Sequence, residues 1–167
     1  KIVLIDCGTD LSSDVMSGIR HVVDQLLIIT TTKPDEATVA QGGLRTIRGA
    51  QMGWLADRAI TLVVDKDDPK SLESARLGER ANESRAQRRE REKALRDKHK
   101  RDAEAIRSYF ADQTSQLFHI PYDPVVGVEA TLDIDNLSSE TRVAYMEVAA
   151  ALVTQLAEQS RMRDARR

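Results

Sequence analysis

The sequence predicts an α/β protein built around a parallel sheet with helices on both faces. Three observations support this. Short runs rich in Ile, Leu and Val recur at Ile2–Ile5, Leu26–Thr31, Ile60–Val64 and Leu117–Ile120, helix-like stretches separate them, and a polar or Pro-containing turn closes each one. The runs are continuously apolar instead of alternating, which is the pattern of strands buried on both faces.

Taken in order, the first run ends at Asp6 and continues Cys7-Gly8-Thr9-Asp10. A carboxylate at the C-terminal end of a buried parallel strand, followed by a Gly turn, suits an acid held near Mg²⁺ and a backbone N–H near a terminal phosphate. Asp6 is therefore the first candidate residue. Val15, Met16, Ile19, Val22 and Val23 form a helical stripe behind the Ser12-Ser13-Asp14 cap cluster. A second, less regular stripe runs through Val39, Leu44, Ile47, Trp54 and Leu55, interrupted by Gly42-Gly43. The last helix is the clearest: Ser138 caps it, Glu140 favours its positive end, and Tyr145, Ala149, Leu152, Val153 and Leu156 are predicted to form its buried face.

The 167 residues suffice for one core, and the net charge of −2 is nearly balanced. A single Cys excludes an internal disulfide framework and fits a reducing compartment. No apolar stretch is long enough to span a bilayer and no secretory core is visible, so the reading is cytoplasmic, with any membrane contact peripheral. Aromatic content of 4% argues against a base-stacking platform for single strands. His21, His99 and His119 lack ligand spacing for zinc. Cys7 reads as a small buried neighbour of the first strand, and Trp54 as a core anchor. A G-x-x-x-x-G-K-[ST] loop is absent and the chain starts at Lys1, which together read as a fragment or half of a composite site.

Residues Ser71 to Gln116 depart from the strand–helix rhythm. Arg85 to Arg101 is almost wholly charged, lacks Pro, and offers Glu92/Arg96 and Asp97/Arg101 pairs at i,i+4, so a long solvated helix is predicted. It has no sustained a/d seam of its own, and apolarity returns only at Ile106, Tyr109 and Phe110, where the helix should rejoin the core. Its Arg and Lys excess leaves open a weak contact with nucleic acid or an anionic membrane, or a protein-binding arm. The tail Arg161 to Arg167 is also basic; a frayed helix end is the simpler account of it.

The succession VLIDCGTD, ITTTKPDEATV, LVVDKDDP, HIPYDP and a short Leu-Asp-Ile-Asp segment before the final helix resembles the C-terminal part of a MinD/ParA-type P-loop ATPase. Within that group it is most similar to the MinD-like ATPases associated with type VII (ESX) secretion in actinobacteria. The likeness covers most of the chain outside the charged insertion. It implies a doubly wound, mostly parallel sheet that lacks its phosphate-binding part, ATP and Mg²⁺ as ligands, and a nucleotide-dependent homodimer that meets secretion machinery. Residues 1–70 and 117–160 would be the nucleotide-binding domain, 71–116 a charged helical insertion, and 161–167 a basic tail. By the same resemblance Asp6 holds Mg²⁺ through water, Gly8 is the switch glycine at the γ-phosphate, and Thr9 and Asp10 belong to the responding segment.

The string Asp65-Lys66-Asp67-Asp68-Pro69 stands where the family usually has an Asn, a basic residue and a Pro. Asp65 retains an acceptor for the adenine amino group but lacks the donor of an Asn. The string also matches a degenerate guanine-reading N-K-x-D motif with Asp68 facing the base; Pro69 and Pro121-Tyr122-Asp123-Pro124, the other wall of the base pocket, favour adenine. The reading is thus a piece of a nucleotide-dependent switch that is catalytically incompetent alone. The alternative is a non-catalytic scaffold whose basic insertion binds a protein partner or polyanion.

Overall fold

A computed structural model describes residues 2–8, 18, 22–66, 84–128 and 133–165. The helix expected behind Ser12-Ser13-Asp14, the candidates Thr9 and Asp10, and the string Asp67-Asp68-Pro69 therefore lie largely or wholly outside the described residues. The molecule is a mixed α/β structure, mostly helical, with a parallel sheet of three strands among those residues. The strands are β1 (Leu27–Thr31), β2 (Ile60–Val64) and β3 (Gln116–Ile120), in that spatial order. β1 is followed by α1 (Pro34–Ile47), a π-helical turn (Arg48–Met52) and α2 (Gly53–Asp57); α3 (Arg85–Gln113) precedes β3, and α4 (Pro124–Val128) and α5 (Ser139–Asp164) close the chain.

Three of the four predicted strands form. Ile2–Ile5 does not: it has no regular structure, and its side chains are 52–84% exposed. The same apolar composition gives a strand only where a neighbouring backbone accepts its hydrogen bonds. Cys7, expected to be buried beside that strand, is partly exposed instead. Burial on both faces holds for central β2, whereas Ile29 on edge strand β1 is 64% exposed.

Pleating sends alternate residues to opposite faces, so the parallel register sorts the core. Ile28, Val63 and Leu117 pack with Ala37 of α1 and with Ile106 and Phe110 of α3. Leu44 and Ile47 extend that layer to Met52, Leu55 and Ala56. On the other face Ile60, Leu62, Phe118 and Ile120 meet Ala144, Tyr145, Val148, Ala151 and Leu152 of α5.

The irregular stripe between Val39 and Leu55 has a local cause. α1 continues through Gly42-Gly43, but the chain kinks at the π-helical turn, where Gln51 adopts φ 62°, ψ 21°. The kink resets the helical phase after Leu44 and Ile47, so that Met52 and Leu55 are buried with them and Trp54 is 48% exposed; Val39, on the outer side of α1 before the kink, is 58% exposed. Trp54 is thus no core anchor. Arg48 holds the kink by donating to the Gln113 carbonyl at the end of α3 at 2.6 Å.

α3 begins with a capping box at Ser84, whose Oγ accepts from the Gln87 N–H while the Ser84 N–H donates to Gln87 Oε1. Its first half is largely exposed, and Ala103, Ile106 and Phe110 enter the core, as the returning apolarity predicts. Ser138 caps α5 by accepting from the Thr141 N–H at 3.2 Å. The buried side of α5, however, is centred on Thr141, Val148 and Gln159, and two residues assigned to it, Ala149 and Val153, are exposed.

Candidate functional site

Hydrogen bonds tie the amino end of the sheet together. Gln25 Nε2 donates to the Arg58 carbonyl at 2.6 Å, Gln159 Nε2 to Gln25 Oε1 at 3.1 Å, and Gln155 Nε2 to Ser115 Oγ at 3.0 Å. The titratable groups of the candidate site lie at the opposite, carboxyl end.

Register places Thr30, Val63 and His119 in one row across the strands, on the face that α1 and α3 cover. Two residues further along the same face stand Thr32 and Asp65, just beyond β1 and β2. The Asp65 N–H donates to the Ile120 carbonyl at 2.9 Å, which continues the ladder and fixes the side chain beside His119. His119 Nε2 lies 2.7 Å from Asp65 Oδ2. With Asp65 ionised, Nε2 carries the hydrogen and donates it to the carboxylate. Arg107 Nη2 of α3 is 3.3 Å from that same Nε2. A nitrogen already donating offers no lone pair to a second donor, so the guanidinium contributes charge to the cluster more than a hydrogen bond.

Burial pushes the Asp65 carboxyl up, but the hydrogen bond and charge of His119, the charge of Arg107 and a hydrogen bond from Thr32 outweigh it, and the net result lies below the ordinary value. The cluster therefore keeps Asp65 ionised. Two polar atoms of its elements, Thr30 Oγ1 and Arg107 Nε, are buried with no hydrogen-bond partner, leaving donor capacity unmet.

The loop after β3 brings Pro121 and Tyr122, both half-buried, next to buried Asp123. Asp123 Oδ1 accepts from the Val125 N–H at 3.0 Å and Oδ2 from the Ser138 N–H at 2.9 Å. Its carboxyl is held below the usual carboxylate range, chiefly by the Ser138 backbone bond acting against burial and helped by Val125, Thr141 and the Ser138 hydroxyl. Its charge and burial together push the Tyr145 phenol up, burial being the larger cause. Asp123 thus staples the β3 loop to the start of α5.

Of the sequence-predicted site residues, Asp65, Lys66, Pro121, Tyr122 and Asp123 all leave the carboxyl ends of adjacent strands β2 and β3, with Lys66 exposed. Asp6 and Gly8 lie in the exposed N-terminal segment. There the Gly8 N–H donates to Asp6 Oδ1 at 2.8 Å, an Asx turn, and Gly8 adopts φ 61°, the left-handed region that suits a residue without Cβ. Arg107 was not singled out from sequence, and His119 was weighed there only as a zinc ligand. Counting from the strand ends would have paired His119 with Asp65 had the β2–β3 register been known. Among the described residues no group of three or more His, Cys, Asp or Glu is placed to hold a metal ion, and no helix is long and apolar enough to cross a membrane. No protein-family model matches the sequence, and neither the curated proteins nor the solved structures contain a significant match.

Proposed function

We propose that this chain is the base-holding part of a MinD/ParA-like, P-loop-class ATPase that works as a nucleotide-dependent switch. One observation carries the reading. Asp65-Lys66 and Pro121-Tyr122-Asp123 leave neighbouring parallel strands at their carboxyl ends, which is where open α/β sheets receive ligands. The likeness of the motif series to the MinD-like ATPases of type VII secretion supports the switch and its setting.

The residues present fit an adenine. Asp65 is 26% exposed. An ionised carboxylate has about four lone-pair sites, so acceptor capacity remains beyond its bonds to His119 and Thr32. His119 and Arg107 hold it in the acceptor-only form, suited to the adenine amino group. Asp123 has both oxygens engaged by backbone and would act by fixing Pro121 and Tyr122 as the opposite wall. Asp6, exposed, has Oδ2 available for a metal-bound water, and the Gly8 N–H would turn from Asp6 toward the terminal phosphate. When bound, ATP with Mg²⁺ supplies the transferable phosphoryl group. The backbone amides and Lys that would stabilise its transfer belong to a Gly-rich loop that these residues do not contain, so turnover is expected only in a protein that carries both.

The test is a titration of the chain with adenosine, which needs no phosphate site, followed by ¹H–¹⁵N NMR. Shifts confined to Asp65, Lys66 and the Tyr122–Asp123 loop, weaker with guanosine and lost in Asp65→Ala, are the expected result. Unchanged spectra at millimolar adenosine, or shifts centred elsewhere, refute the reading.

A further inference from the structure

The final helix is apolar on the side that the sheet does not use. α5 turns Thr141, Val148 and Gln159 inward and packs Tyr145 and Leu152 against the sheet. At about 100° per residue, Val143, Met146, Ala150, Val153 and Ala157 fall on the opposite side. Val143, Met146 and Val153 are 55%, 66% and 53% exposed, and both alanines are exposed as well. A helix that serves only one sheet keeps its outer side polar. This one instead places apolar residues at i, i+3, i+7, i+10 and i+14, the a/d spacing of a coiled-coil seam over two heptads.

The charges beside the seam identify its occupant. With Val143 at a and Met146 at d, Arg142 takes the preceding g position and Glu147 the following e position. In a parallel pair of identical helices, g of one chain meets the e five residues later on the other. Arg142 then faces Glu147 of the second copy, and two-fold symmetry makes this contact twice with no like-charged g–e pair along the seam. Arg142 is available for the exchange, since its contact with Asp135 is 3.9 Å long and that carboxylate is 91% exposed. Ala150 and Ala157 at a allow close approach of the two axes.

We propose that α5 is a self-association surface, pairing in parallel with α5 of a second copy of this chain through Val143, Met146, Ala150, Val153 and Ala157. The contact is isologous and closes as a dimer. Two heptads make a short seam, so the dimer is weak and depends on concentration.

Sedimentation equilibrium of the chain from micromolar to millimolar concentration, without nucleotide, tests this independently of any ATP site. The expected result is a monomer–dimer equilibrium that Met146→Glu abolishes with an unchanged circular dichroism spectrum. Glu147→Arg should weaken the dimer by roughly five- to tenfold, because two attractive surface pairs become repulsive. Arg142→Glu combined with Glu147→Arg should restore it. A wild type that stays monomeric at millimolar concentration, a Met146→Glu variant that still dimerises, or a charge swap that fails to recover association overturns the proposal. Should Met146→Glu fail to fold, the charge-swap series decides alone, since Arg142 and Glu147 are outside the core.

Discussion

Replacing Asp65 by Asn removes the charge at the strand ends while preserving shape and one acceptor oxygen. In the native cluster the His119–Asp65 contact is 2.7 Å, with 34% and 26% of the two side chains exposed. A hydrogen bond to a charged group exceeds its neutral counterpart by about 1 kcal/mol, and partial exposure keeps the gain near that size: roughly 1 kcal/mol lost in Asp65→Asn near neutral pH. The pH dependence has a definite sign. Because the folded carboxyl titrates below its unfolded value of about 3.9, its contribution is complete above that pH and is lost as pH falls through the folded value. Urea unfolding of both proteins along a pH series measures this. With a slope of about 1–3 kcal/mol/M, the variant's midpoint should lie roughly 0.3–1 M lower near neutrality, and the two curves should converge on acidification. Combining Asp65→Asn with His119→Gln should cost less than the sum of the single changes. Equal midpoints at neutral pH, a gap that survives acidification, or strict additivity would show that the pair does not hold the strand ends together.

Phe110 is fully buried between α3 and the sheet, so Phe110→Ala should cost about 3–5 kcal/mol in chemical denaturation; a loss near zero would mean that α3 does not belong to the core. Asp6 is exposed and bonds only locally, so Asp6→Ala should change the stability of this chain by less than about 0.5 kcal/mol. In a protein that also carries the phosphate-binding loop the same change should slow ATP turnover, and unaltered turnover would remove Asp6 from the metal site. Arg85, Arg89, Lys93 and Lys100 are exposed within about 80° of the α3 circumference. Duplex DNA should bind there weakly and without sequence preference, and changing all four to Ala should reduce the log–log salt slope by up to about 4. A slope that stays the same would show the stripe to be only a solvated face.

The fold was legible where local pattern and tertiary partner agree. Ile60–Val64 reads as a doubly buried strand because it is central, with a neighbour on each side and helices above and below. Ile2–Ile5 has the same composition and forms no strand, since hydrogen-bonding partners are a property of the assembled sheet and not of the segment. Ile29 is exposed for a related reason: it is on the α5 side of the sheet, but is not among the residues packed in the core that α5 forms with β2 and β3. In α5 the difficulty is the reverse. Apolar residues occur on both sides of the helix, so periodicity alone could not tell which stripe meets the sheet, and it assigned Ala149 and Val153 to the wrong one. That ambiguity is the same physical fact as the seam: a helix that looks buried all round is asking for two partners.

At the candidate site, residue type was more legible than role. Asp65 was recognised as an acceptor, but the donors that keep it ionised, His119 and Arg107, come from β3 and α3 and are placed by a register and a helix packing that no local pattern encodes. Asp123 shows the same limit from the other direction. Its acidity and its position between Tyr122 and Pro124 marked it as a wall of a base pocket. In the fold its two oxygens serve the Val125 and Ser138 N–H groups, and its charge adds to the burial that raises the Tyr145 phenol. An acid in a Pro-rich strand-end loop signals that backbone donors need an acceptor there; whether those donors are the protein's own or a ligand's is decided by which chain ends meet, and here the start of α5 arrives first.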